Sequence, residues 1–299
     1  MKKFAIIGAG NLGGAIARGL VAEKICAAEE IVCTAAHAET LARRAEELPG
    51  LEVSRDNAAA ARAAETVILA VKPWLALDVL AEIGAAFAPG TFPRPKRFIS
   101  VVPGISIDQL REEIDDAGTD SAGTDLAETD FPKNENARGG SAPAGDARGN
   151  VPIFVAIPNT AIAVAQSMTF FAAENGAPAS EIEFVEKIFS ALGKAVCVPE
   201  AQLAAGTALA SCGIAFAMRY VRASTEGAVR LGLRANLAQE AALHTLLGAA
   251  QLLLKTGEHP ESAIDKVTTP GGMTIRGLNA LESRGFSVAV VAGLRACLH

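Results

Sequence analysis

The first thirteen residues constrain the fold more than any other stretch. Phe4-Ala5-Ile6-Ile7 is a short continuous apolar run, the pattern of a strand buried on both faces. It stops at Gly8-Ala9-Gly10-Asn11-Leu12-Gly13, and Leu12 to Val21 then carries helical periodicity. Strand, glycine turn and helix in that order form one kind of junction. Gly8 permits the tight turn, Gly10 lets the backbone approach a diphosphate, and Gly13 lets helix and strand pack closely. In this context the stretch points to a dinucleotide, with an ordinary βα turn as the alternative.

The same alternation continues down the chain. Apolar runs at Ile31-Val32-Cys33-Thr34-Ala35, Leu51 to Ser54, Thr66 to Val71 and Phe98 to Val102 alternate with helical patterns at Glu39 to Leu48, Ala58 to Ala64 and Leu75 to Ile83. This spacing predicts a Rossmann-type, mostly parallel sheet. Gly10, Thr34, Lys72 and Pro103 then fall at the carboxyl ends of successive strands, where such sheets bind ligands. The second strand ends without the acid that holds an NAD ribose. Thr34 and His37 can instead hydrogen-bond a 2′-phosphate, which favours NADPH, with NADH possible. Asn57 can cap the helix that it opens or face the adenosine end of the cofactor. Trp74, the only tryptophan, is read as filling a gap under the helix that follows it.

A helix is expected over Ser106 to Ile114. From Ala117 to Asn150 the chain is dominated by Gly, Ala, Ser, Thr and Asp and cannot bury enough apolar surface to offset ordering, so a flexible insertion is expected there. A strand from Val151 to Ile157 ends at Pro158-Asn159-Thr160, where Asn159 can offer donor and acceptor to a nicotinamide or cap a turn. Strands at Met168 to Ala173 and Ala195 to Pro199 flank a helix from Ser180 to Leu192. Beyond about Gln202 strand signals cease. Helices are expected at Thr207 to Val229, Leu237 to Leu254, Ile275 to Leu281 and Val288 to Leu298. The expected division is a dinucleotide-binding domain over 1–200 and a helical dimerisation and substrate-binding domain over 201–299. The apolar face Leu243, Leu246, Leu247, Ala250 and Leu254 calls for a homodimer or a higher homo-oligomer, and His244 beside it is read as a packing residue.

Composition narrows the partners. A net charge of −6 leaves no basic footprint for nucleic acid or for an anionic membrane surface. The apolar stretch Thr207 to Ala223 carries Arg219 and Arg222 and reads as too short and too charged to span a bilayer. Five widely spaced cysteines read as reduced thiols, which implies a cytoplasmic protein. No histidine, cysteine or carboxylate grouping has metal-ligand spacing.

The most specific stretch of the second half is Thr268-Thr269-Pro270-Gly271-Gly272-Met273-Thr274-Ile275. Hydroxyls, a rigid proline and paired glycines run directly into a helix, which aims bare N–H groups at one point and suits a carboxylate. Together with the glycine turn, Ala70-Val71-Lys72-Pro73, Pro158-Asn159-Thr160, Leu281-Glu282 and Gly285-Phe286, it resembles the Δ1-pyrroline-5-carboxylate reductase family. The resemblance implies NADPH-dependent reduction of a cyclic imine to L-proline, the last step of proline biosynthesis. It implies that Asn11, Leu12, Asn57, Ala70, Lys72 and Pro73 line the cofactor and that Val267, Thr269, Gly271, Gly272 and Thr274 hold the substrate. The chain departs from the family at Val155, Ala161, Ile214 and Thr269, where arginine, proline, proline and serine are usual.

In this reading the substrate carboxylate meets the backbone donors of Gly271, Gly272 and Thr274, and the Thr274 hydroxyl hydrogen-bonds the ring nitrogen. Two alternatives stand beside it. One is a reductase of another cyclic imine or of a small carbonyl acid. The carbonyl reaction needs a proton donor for the forming alkoxide, such as a lysine on the long helix, and none occurs between Lys194 and Lys255. A non-catalytic dinucleotide-binding regulator would bind NADPH without oxidising it.

Overall fold

The computed structural model describes residues 1–88, 95–120 and 151–298, the backbone alone at 117–120. The chain splits into two compact units, Met1–Thr207 and Ala208–His299. The first contains, in order, β1 (Lys2–Ile7), α1 (Asn11–Ala22), β2 (Ile31–Thr34), α2 (Ala38–Glu47), β3 (Glu52–Ser54), α3 (Asn57–Ala63), β4 (Ala64–Leu69), α4 (Ala76–Ile83), β5 (Arg97–Ser100), α5 (Ile107–Asp120), β6 (Ile153–Ile157), β7 (Ser167–Ala173), α6 (Ala179–Ala191), β8 (Gly193–Cys197) and the short α7 (Leu203–Gly206).

The strands form one sheet in the order β3-β2-β1-β4-β5-β6-β7-β8. The first six pair in parallel. β7 runs antiparallel to β6, and β8 is parallel to β7. The continuous apolar runs of the central strands have a physical cause: these strands feed two cores at once. Ala5, Ile7, Val67 and Leu69 join α3, α4 and α5 on one face. Phe4, Ile6, Ile31, Cys33 and Ile68 join α1 and α6 on the other. With both faces covered, polar alternation is absent and the expected fold results. The order reverses at β1, which lies between β2 and β4, and this reversal marks the crevice of a doubly wound sheet.

Some boundaries move. β4 ends at Leu69, leaving Ala70-Val71-Lys72 free to turn, and α5 runs on to Asp120 through the start of the expected insertion. The rest of that insertion, 121–150, lies outside the described residues. Trp74 does not fill a gap: it is 75% exposed. Val155, where the family usually has arginine, is buried in β6 and belongs to the core.

The second unit is helical: a π-helical turn (Thr207–Cys212), α8 (Gly213–Arg230), α9 (Ala235–Thr256), α10 (Pro260–Val267), α11 (Met273–Ser283) and α12 (Phe286–Ala296). The helical run from Glu200 to Arg230 is 31 residues long, and an 18-residue window within it has a mean hydropathy of 1.5, which makes it long and apolar enough to cross a membrane by length and composition. The stretch read as too short continues on both sides.

Among the described residues from 208 to 298 only Ala208, Ala210 and Ala238 are buried. Leu243, Leu247 and Leu254 on α9 and Val288, Val290 and Val291 on α12 are exposed. His244 beside them is exposed as well, not packed. A helical unit with this little interior cannot offset its ordering entropy alone and needs a further apolar surface against it.

Candidate active site

The glycine turn is closed everywhere except at one position. Gly8 has φ +97°, and a side-chain carbon there would lie 2.8 Å from the Ala70 carbonyl oxygen and from Val71 Cγ1. Its N–H donates to the Thr34 carbonyl at 3.1 Å, as does that of Ala9 at 2.7 Å. A side chain at Gly13 would strike the Gly8 carbonyl, so the third glycine is required by helix-to-strand packing. Gly10 has no atom within 4 Å of where a side chain would begin. It is the N-cap of α1 and makes no side-chain capping bond. The first amides of α1, at Asn11, Leu12 and Gly13, precede the first intrahelical donor, Gly14. Two glycines serve the protein's own packing, and the one between them faces open space. A dinucleotide diphosphate fits that cradle.

Thr34 is buried, and its hydroxyl donates to Asn57 Oδ1 at 2.7 Å while accepting from the Gly8 N–H at 3.3 Å. Contact with a 2′-phosphate is therefore not its role; it fixes the turn from behind, and the exposed His37 is the polar side chain next in sequence beyond β2. Asn57 is the first residue of α3. The cap is Asp56, whose side chain accepts from the Ala59 N–H at 2.8 Å. Asn57 Nδ2 donates to Glu82 Oε2 at 2.6 Å, so the turn is tied through Thr34 and Asn57 to α4. Glu82 escaped the sequence reading because only the folded sheet brings β2, α3 and α4 together.

Arg44 escaped it too. It is buried in α2 against Gly14, where a side-chain carbon would lie 2.5 Å from its Nη1. It pairs with Glu47, which also accepts from Arg18 at 2.6 Å. Burial lowers the tendency of the Arg44 guanidinium to hold its proton, and Glu47 opposes that.

After β4, Ala70 donates its N–H to the Ile7 carbonyl at 2.8 Å, which holds the two central strand ends together. Lys72 and Pro73 follow at the exposed edge, Lys72 Nζ lying 6.0 Å from the centre of the Trp74 ring. Asn159 is almost fully buried at the end of β6. Its Oδ1 accepts from the Ala161 N–H at 3.0 Å, and its own N–H donates to Ser167 Oγ at 3.0 Å. It acts as the cap of the turn Thr160–Val164.

In the helical unit, α11 begins as the motif suggests. Gly271 has φ +69°, and the Gly272 N–H donates to the Thr269 carbonyl at 2.9 Å. A side chain at Gly272 would collide with the Thr269 hydroxyl. Gly272 is the N-cap and supplies no side-chain bond, so the first amides of α11 are open to a ligand. Val267, Thr269, Gly271 and Thr274 are exposed around it and Gly272 is half-buried. Among the described residues no cluster of His, Cys, Asp and Glu could hold a metal ion.

Comparison with known proteins places this geometry. Residues 200–299 match the model of pyrroline-5-carboxylate reductase dimerisation, and residues 3–92 match that of the coenzyme F420-dependent NADP oxidoreductases. The chain is 35% identical over 97% of its length to pyrroline-5-carboxylate reductase 1 of Dictyostelium discoideum, spanning 47% of that relative. It is 33% identical over 98% of its length to the pyrroline-5-carboxylate reductase of a Synechocystis strain, covering 95% of that protein. The fold matches the NADP-bound pyrroline carboxylate reductase of Plasmodium falciparum with a TM-score of 0.78 at 22% identity, over 99% of this chain and 95% of that one. The likeness to the Synechocystis protein runs through the glycine turn, the sheet and the helical unit alike, and on that ground the chain belongs to the pyrroline-5-carboxylate reductase family.

Proposed function

We propose that this chain reduces Δ1-pyrroline-5-carboxylate to L-proline with NADPH. One observation carries the reading: a full-length likeness to reductases of this name includes both of the uncapped helix starts, α1 behind Gly10 and α11 behind Gly272. Each suits an anion, the first a diphosphate and the second a carboxylate.

In this reading Gly10 and the first amides of α1, at Asn11, Leu12 and Gly13, hold the diphosphate, with Gly8, Thr34 and Asn57 fixing the turn and Ala70, Lys72, Pro73 and Asn159 bounding the crevice beyond it. The absence of an acid at the end of β2, together with the dinucleotide-binding model matched by residues 3–92, supports NADPH over NADH. The bound cofactor supplies the hydride. The amides of Gly271 and Thr274 bind and orient the substrate carboxylate beside Val267 and Thr269, while the Gly272 N–H, expected to join them, is held by the Thr269 carbonyl and shapes the turn. Thr274 Oγ1 accepts a hydrogen bond from the protonated ring nitrogen, which favours the charged, electrophilic imine. The electron pair of the C=N bond settles on a nitrogen that already carries its proton, so no protein acid is required. The helical unit meets a second copy through its uncovered apolar faces, forming a homodimer or a larger homo-oligomer. The family model for residues 200–299, described as dimerisation, supports this cover over lipid. Nucleic acid has no place in the scheme, and the five free cysteines fit the cytoplasm.

The test follows the loss of NADPH absorbance with pyrroline-5-carboxylate, beside NADH and beside a small 2-oxo acid. Oxidation dependent on the imine supports the reading. Oxidation with the oxo acid alone favours a carbonyl reductase, and cofactor binding without turnover favours a regulator.

A further inference from the structure

Cys212 closes the π-helical turn and Cys297 follows α12; burial first, and the neighbouring Cys297 thiol second, push the Cys212 thiol above its ordinary range. The helix register brings them together independently. Gly293, one turn before Cys297, lies so close to α8 that a side-chain carbon there would sit 3.6 Å from the Phe216 ring, and Phe216 is one turn beyond Cys212. Phe216 and Gly293 line the same apolar groove of about 590 Å³ along α8, α11 and α12, and each cysteine stands one helical turn from that contact. Cys297 Sγ also donates to the Gly293 carbonyl at 3.3 Å, which holds it in place.

The other thiols are differently placed. Cys26 and Cys33 lie in the sheet unit, where burial pushes them up to about 11 and about 12. Cys197 is exposed and free at the end of β8. Cys297 is exposed and Cys212 half-buried, so the pair joins one sulfur open to solvent with one sheltered behind it.

We propose that Cys212 and Cys297 form a redox-reactive pair that closes to an intramolecular disulfide under peroxide and reopens with a dithiol. The peroxide gives one oxygen to the Cys297 sulfur and leaves as water, making a sulfenic acid. The Cys212 sulfur then attacks that atom. Its proton leaves with the displaced hydroxyl as a second water, and the S–S bond forms. Two thiols lose two electrons, and one peroxide is reduced to two waters. In a reducing compartment the resting form is the dithiol, so the disulfide reports oxidation and is not a permanent staple. Once formed it encloses α8 through α12 in one loop and limits the unfolded chain of the helical unit.

The experiment treats the full-length protein with hydrogen peroxide, blocks free thiols and maps peptides without reduction. The expected result is a linkage of Cys212 to Cys297 within one chain, a higher thermal midpoint, and reversal of both by dithiothreitol. Cys297→Ser and Cys212→Ser each remove the linkage and the rise in midpoint, while the reduced variants keep the wild-type midpoint and NADPH affinity. Persistence of all five thiols, a linkage between two copies, or a linkage to Cys197 would each overturn the proposal.

Discussion

Gly8 and Gly10 stand two residues apart in one motif and should answer to alanine in opposite ways. Gly8→Ala forces a side chain into a left-handed backbone position and against the Ala70 carbonyl. It should lower the thermal midpoint as well as cofactor affinity. Gly10→Ala meets nothing in the protein, so its midpoint should stay within a degree or so, while NADPH binding weakens at least tenfold because the added methyl stands where the diphosphate approaches. Thermal melts and fluorescence titrations of the two variants make the comparison, and equal effects would show that Gly10 faces protein. Thr274→Ala should leave NADPH binding intact and lower kcat/KM by about 5–150-fold, the cost of one hydrogen bond of roughly 1–3 kcal/mol in the transition state. An undiminished rate would take Thr274 out of the reaction.

β2, α3 and α4 act together through three side chains. Thr34→Val removes the hydroxyl between the Gly8 N–H and Asn57, leaving Asn57 Oδ1 without its donor. NADPH affinity should fall by about 5–30-fold, corresponding to roughly 1–2 kcal/mol, with kcat little changed; a fall in kcat alone would show that the relay does not serve cofactor binding. That relay also marks where the sequence stopped being informative. The central strands were legible because their apolar runs fill two cores, and the glycine turn and the Thr268 to Ile275 loop were legible because backbone geometry dictates their residues. Side-chain commitments were not. A threonine at a strand end reads the same whether it faces ligand or anchors a turn, and the difference lies in Asn57, twenty-odd residues away. Trp74 looked like core because it is large and apolar, yet it stands in solvent. The π-helical turn at Thr207–Cys212 has no sequence signature, since its wider ring of bonds depends on the packing around it.

For the molecule as a whole, the sheet unit owns its core and the helical unit does not. A face of α9 that leaves Leu243 and Leu247 about half exposed should be covered by another copy. Leu247→Asp should convert the oligomer to monomer in light scattering and abolish turnover, because the helical unit then loses its order. A monomeric variant with full activity would separate assembly from catalysis. The central claim is the reaction itself, and product formation tests it most directly. Incubated with pyrroline-5-carboxylate and NADPH, the purified protein should form one L-proline for each NADPH oxidised. Oxidation of NADPH without proline, or no oxidation under any condition, would contradict it.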